Sequence, residues 1–155
     1  MLRAETVLVR AGDPREPGAL ACLQASHALM ESLFPPEDNH YLSVDALRVP
    51  GISFFVAEDD GAILGTIALA RKDGYGEVKS MFVDPAARGR GVARALLDHV
   101  EGAARGMGLP LLRLETGNLL EAAIALYEAQ GFRRCGAFGD YVVNGTSVIM
   151  EKPLG

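Results

Sequence analysis

The run Val83-Asp84-Pro85-Ala86-Ala87-Arg88-Gly89-Arg90-Gly91-Val92-Ala93-Arg94 constrains this chain more than any other stretch. Ahead of it, Gly76-Glu77-Val78-Lys79-Ser80-Met81-Phe82-Val83 reads as a strand, which Asp84-Pro85 ends. After it, Val92, Leu96, Val100, Ala103 and Met107 recur at helical spacing. Gly89 and Gly91, with Arg88 and Arg90, therefore stand where a strand turns into a helix. The first turn of a helix carries unpaired N–H groups and the positive end of the helix dipole. Glycine lets an anion approach that backbone because no Cβ intervenes. The stretch is an anion cradle suited to a pyrophosphate.

Two familiar cradles are excluded. A Walker A loop ends in Gly-Lys-Ser/Thr, and this chain has Gly91-Val92-Ala93. A dinucleotide fingerprint needs Gly or Ala three residues after its second glycine, where Arg94 stands. With 15 Lys and Arg against 20 Asp and Glu, the net charge is −5, so the attraction for anions is local. No basic face suggests nucleic acid as a partner. No apolar run is long enough to span a bilayer, and Met1-Leu2-Arg3-Ala4-Glu5 opens no signal peptide, so a cytoplasmic protein is expected. Cys22 and Cys135 lack metal-ligand or redox spacing and are expected as reduced thiols. His27, His40 and His99 are scattered, and no metal site is expected.

At 155 residues the chain is expected to form one domain over 1–155. Residues 6–10 suggest a first strand, and Leu20, Leu23, His27 and Met30 mark one face of a helix ending near Leu33, before Pro35-Pro36. A short second helix is expected within Asn39 to Leu47. Ile52–Glu58 and Ala62–Ala70 form a hairpin through Asp59-Asp60-Gly61. Beyond the cradle helix come a strand at Leu111–Thr116, a helix around Tyr127, and strands around Phe132–Cys135 and Ser147–Glu151. The order is β-α-α-β-β-β-α-β-α-β-β.

The pattern Arg-x-x-Gly-x-Ala, met by Arg88, Gly91 and Ala93, resembles the pyrophosphate loop of the GNAT N-acetyltransferases. Ala123-Ile124-Ala125-Leu126-Tyr127-Glu128-Ala129-Gln130-Gly131-Phe132 resembles a second motif of that family, in the family's order. The likeness covers nearly the whole chain. Leu114-Glu115-Thr116-Gly117, Phe138-Gly139-Asp140-Tyr141 and Ser147-Val148-Ile149-Met150-Glu151-Lys152 are similar to a bacterial branch of YsnE-type acetyltransferases. The resemblance implies an α/β GNAT fold, a mixed, mainly antiparallel sheet that splays open and is flanked by helices. It implies acetyl-CoA as cosubstrate and a small-molecule amine acceptor. A protein N-acetyltransferase and a non-catalytic acyl-CoA-binding module are the alternatives, and a homodimer stays open.

By the same resemblance, Met81, Phe82 and Val83 would offer main-chain bonds to the pantetheine arm and thioester oxygen. Arg88, Gly89, Arg90, Gly91, Val92, Ala93 and Arg94 would receive the phosphates. Tyr127 would protonate the departing sulfur, since a phenol near pKa ~10 can donate to a thiolate near ~8.5. Glu77 is the first candidate for the base that deprotonates the amine, and Glu115 the second. Where the family commonly carries a cofactor-binding asparagine this chain has Leu120, and Asn118, two residues earlier, is the substitute considered. Acceptor recognition is expected from variable segments holding Glu31, Phe34, His40, Tyr41, Phe138 and Tyr141.

Overall fold

Strands β2 (Ile52–Asp59), β3 (Ala62–Lys72) and β4 (Tyr75–Val83) form an antiparallel meander at the centre of a seven-stranded sheet. The computed structural model describes residues 7–39, 41–139 and 145–155. The β2–β3 turn places Asp60 at φ 51° and Gly61 at φ 84°, the left-handed pair that a tight hairpin demands. Strand β1 (Leu8–Ala11) adds to β2 at one edge. On the other side follow β5 (Leu111–Gly117), β7 (Ser147–Pro153) and the two-residue β6 (Arg133–Arg134), in the order β1-β2-β3-β4-β5-β7-β6.

The β4–β5 contact decides what the sheet can do. It is the parallel pairing among these strands, and it holds only at Gly76↔Leu112 and Glu77↔Arg113. Beyond that point β4 bonds β3 while β5 bonds β7, so the two strands part and a cleft opens between their C-terminal halves.

Among the described residues three α-helices dress the sheet. Helix α1 (Pro17–Leu33) buries Ala19, Cys22, Leu23 and Ser26; of the expected face Leu20, Leu23, His27 and Met30, Leu23 is buried and the other three are half-buried, so the stripe is offset by about one residue. Ala19 and Leu23 join Phe54, Val56 and Ala68 in one apolar cluster, while Phe55, Ala57, Ile67 and Leu69 turn to the opposite face, as strand alternation requires. Helix α2 (Val92–Gly106) packs Val92, Leu96, Leu97, Val100 and Ala104 into that second cluster, which Ile124 and Tyr127 of α3 (Glu121–Ala129) also enter.

Among the described residues of 39–47 the expected second helix is not found. Short 3-10 turns at Pro36–Asp38 and Ala46–Arg48 flank an irregular connection instead. Its apolar residues Leu42 and Val44 are spaced by two, not by a helical turn, and both pack with buried Leu47 against the α1 cluster. Among the described residues no helix is long and apolar enough to cross a membrane.

Candidate active site

After β4, Asp84 caps the 3-10 turn Pro85–Ala87 by accepting the Ala86 N–H at 3.0 Å. The chain then passes through Gly89 (φ 84°) and Gly91 (φ 75°), and Gly91 is the N-cap of α2. Left-handed backbone at both positions is what glycine supplies without strain. The turn delivers the first N–H groups of α2 to a cleft of about 610 Å³. Arg88, Gly89, Gly91, Val92, Ala93 and Arg94 line it together with Met81, Phe82 and Val83 of β4 and with Leu120–Ala123, Leu126 and Tyr127. Glycines for approach, helix amides and two arginines form a donor set suited to a pyrophosphate. An apolar channel suited to an acyl-thioester arm continues from it.

Arg90, expected with its neighbours, is not among the residues lining the cleft. Its guanidinium bonds the Asp59 carboxylate at the β2–β3 turn. It also precedes α2, so it does not share a helix face with Arg94. Arg94→Ala should weaken acetyl-CoA binding about ten-fold and flatten its salt dependence, because a charge-assisted bond to phosphate is lost. Arg90→Ala should leave both near wild type. Titration calorimetry at two ionic strengths reads the difference.

A smaller pocket of about 130 Å³ meets the cleft. Phe34, Asp38, Asn39 and Tyr41 come to it from the end of α1 and the connection beyond, Lys79 and Ser80 from β4, Glu115–Gly117 from β5, and Thr146 from the approach to β7. Gly117 is required here, since a Cβ would stand 2.2 Å from the Phe34 ring. Ser26, Met30, Met81, Leu120, Ala123 and Tyr127 line both cavities and form their common wall.

Tyr127 therefore stands where the two cavities join. Its side chain is 7% exposed, its ring meets Phe132 edge-on, and its hydroxyl lies 3.6 Å from Met81 Sδ. Burial pushes the phenol well above its ordinary range, so the group stays protonated at any neutral or mildly alkaline pH.

The two carboxylates have different surroundings. Glu77 is 5% exposed, paired with Lys79 at 3.5 Å, and opposite Arg113 where β4 and β5 are still joined; it lines neither cavity. Glu115, two residues along β5 from Arg113, lies where the strands have parted and lines the smaller pocket. Its Oε2 accepts the Ser147 hydroxyl at 3.0 Å.

Asn118 turns to the lead-in of β7, its N–H bonded to the Thr146 carbonyl at 2.8 Å and its Nδ2 to the Gly145 carbonyl at 3.1 Å. Neither cavity includes it; Leu120 lines both. Of the acceptor-side residues, Phe34 and Tyr41 line the small pocket, and Glu31 accepts the Tyr41 hydroxyl at 2.8 Å. Phe138 instead packs on Tyr75 beneath Arg113. His40 and Tyr141 lie outside the described residues. Lys79, Asp38, Thr116 and Thr146 were not anticipated, because only the tertiary fold brings them to one opening. Among the described residues no group of three His, Cys, Asp or Glu side chains is placed to hold a metal ion.

A sheet that parts beside a glycine-built turn at a helix N-terminus, with a buried phenol between two cavities, is the arrangement expected of an acyl-CoA-dependent acyltransferase. The chain belongs to the acetyltransferase (GNAT) family, whose model matches residues 20–132. It is similar to the IAA acetyltransferase of Azospirillum brasilense, 41% identical over 96% of this chain and 98% of that one. It is also similar to the N-acetyltransferase YsnE of Bacillus subtilis, whose own role is uncharacterized, at 38% identity over 81% and 85% of the two chains. Among solved structures, a Klebsiella pneumoniae protein assigned as an acyl-CoA N-acyltransferase superposes with a TM-score of 0.81, at 31% identity over 96% and 98% of the chains. The protein is thus an N-acetyltransferase with the GNAT fold, and its acyl donor, as for the family, is acetyl-CoA.

Proposed function

We propose that this chain, acting as one domain over residues 1–155, transfers the acetyl group to the primary amine of a small, amino-acid-like molecule. The amine attacks the thioester directly. The observation that carries this reading is the position of Tyr127 at the junction of a long cleft and a small polar pocket. Acetyl-CoA supplies an activated acyl group; everything else falls to the chain. The α2 amides with Arg88 and Arg94 hold the phosphates, and the backbone of Met81–Val83 aligns the arm. Tyr127 gives its hydroxyl proton to the departing sulfur. The volume of the pocket supports a compact acceptor, and the IAA acetyltransferase relative supports a small molecule over a protein.

For the base, Glu115 is favoured over Glu77, because it lines the pocket while Glu77 is buried beside Lys79 and lines neither cavity. Direct acceptance of the amine proton, or acceptance through a water, requires such access. Glu115→Gln should lower kcat/KM for the amine about ten-fold to a hundred-fold with acetyl-CoA binding retained. Glu77→Gln should act chiefly on stability, since it breaks a buried ion pair. Thiol release from acetyl-CoA, followed across a panel of small amines and amino acids, tests the whole reading. Tight acetyl-CoA binding with no amine-dependent thiol release would favour a non-catalytic acyl-CoA-binding module.

A further inference from the structure

The β3–β4 ladder slips where it borders the site. Thr66 pairs with Phe82 but Ala68 pairs with Lys79, so Ile67 stands opposite both Ser80 and Met81. At this bulge Ser80 adopts φ 53°. Among the described residues only Asp60 and Ser80 do so without being glycine, and Asp60 has its hairpin as reason. Serine gains nothing locally here, for its Oγ is buried without a hydrogen-bond partner. A conformation that the residue itself disfavours persists only when its neighbours impose it.

Strand β3 supplies the hold. Thr66, fully buried beside Ile67, Ala68 and Leu69, donates its hydroxyl to the Ser80 carbonyl at 2.9 Å. Gly65 lets the strands close, since a Cβ there would stand 2.7 Å from the Phe82 carbonyl oxygen. A trans peptide aims its N–H opposite to its C=O. With the Ser80 carbonyl held at Thr66, the Met81 N–H points away from that threonine.

We propose that Thr66 is a positioning residue for acetyl transfer: its hydroxyl locks the Ser80–Met81 peptide so that the Met81 N–H bonds the thioester carbonyl. This rests on the reading that the acyl arm lies along β4. A donor fixed before charge develops on that oxygen stabilises the transition state without reorganisation. The bulge, the left-handed serine and the buried hydroxyl then share one purpose.

The test is infrared spectroscopy of carbonyl-labelled acetyl-CoA bound to wild type, Thr66→Val and Thr66→Ser, with kcat and CoA affinity alongside. Wild type should lower the carbonyl stretch relative to free acetyl-CoA. Thr66→Val should lose most of that shift and about ten-fold to a hundred-fold in kcat. Its affinity for CoA, which has no thioester carbonyl, should be unchanged. Thr66→Ser should restore both shift and rate. Adding Ser80→Gly to Thr66→Val should recover part of the rate, because glycine adopts the left-handed conformation unaided; a packing defect at Thr66 would not respond. Wild-type shift and rate in Thr66→Val, or equal losses of kcat and CoA affinity, would overturn the proposal. So would a wild-type complex whose carbonyl absorbs as free acetyl-CoA does, a result that needs no variant to fold. Acetyl-CoA that does not bind at all overturns instead the placement along β4.

Discussion

Replacing Tyr127 by phenylalanine should lower turnover by about ten-fold to a thousand-fold while the fold and the affinity for acetyl-CoA stay near wild type. The ring packs edge-on to Phe132 within the apolar cluster, and phenylalanine keeps that contact. The hydroxyl's nearest partner, Met81 Sδ at 3.6 Å, makes only a weak interaction, so its removal takes little from stability. What is lost is the proposed proton donor at the junction of the cavities. Burial raises the phenol above its ordinary value, which alone would weaken it as an acid. The same dry surroundings raise the basicity of a sulfur that leaves with negative charge, so the transfer keeps its driving force. Single-turnover measurement near neutral pH separates this step from slow product release. Wild-type chemistry in Tyr127→Phe would reduce the tyrosine to packing.

The raised phenol has a second consequence. Because its folded-state value lies above the unfolded one, the neutral buried phenol contributes stability in full below the unfolded value of about 10 and loses it as pH rises through the folded one. Wild type should therefore lose stability relative to Tyr127→Phe as pH is raised past about 10. Denaturant titrations of the two proteins at neutral and at high pH make the comparison.

How far the sequence could be read depended on how local each feature was. The cradle was legible because a strand end, two left-handed glycines and a helix start lie within a dozen residues, and their roles follow from backbone chemistry alone. The hairpin at Asp60-Gly61 was legible for the same reason. Arg90 was not, since Asp59, its partner, is 31 positions away. The two glutamates turned on where β4 and β5 separate, which neither strand encodes by itself. The α1 stripe was displaced by about one residue because its buried small side chains, Ala19, Cys22 and Ser26, carry a weaker apolar signal than Leu20 or Met30. The bulge at Ser80 left no trace, for serine fits a regular strand, and the force that bends it comes from Thr66 on β3.

A valine at position 91 should reduce acetyl-CoA affinity by at least ten-fold while leaving the protein folded. Gly91 is the N-cap of α2 at φ 75° and ψ 16°. For a β-branched residue that conformation is a true outlier, unfavourable by roughly 1–2 kcal/mol or more. The chain can relieve this strain by rotating the turn, and the rotation swings the first amides of α2 away from where they converge. A ten-fold loss corresponds to about 1.4 kcal/mol, so the strain alone is of the size required. The isopropyl group also occupies space over those amides that a phosphate would otherwise use. Gly89→Ala is the informative companion. Gly89 shares the left-handed backbone at φ 84°, yet a Cβ there meets no protein atom within 4 Å. Its loss of affinity should be the smaller of the two, because alanine adds strain with little bulk. Calorimetry gives both dissociation constants. Thermal unfolding with and without acetyl-CoA gives an independent check, since stabilisation by a bound ligand scales with the logarithm of concentration over Kd. A folded Gly91→Val protein that binds acetyl-CoA as wild type does would remove the phosphates from this turn, and with them the reason for its two glycines.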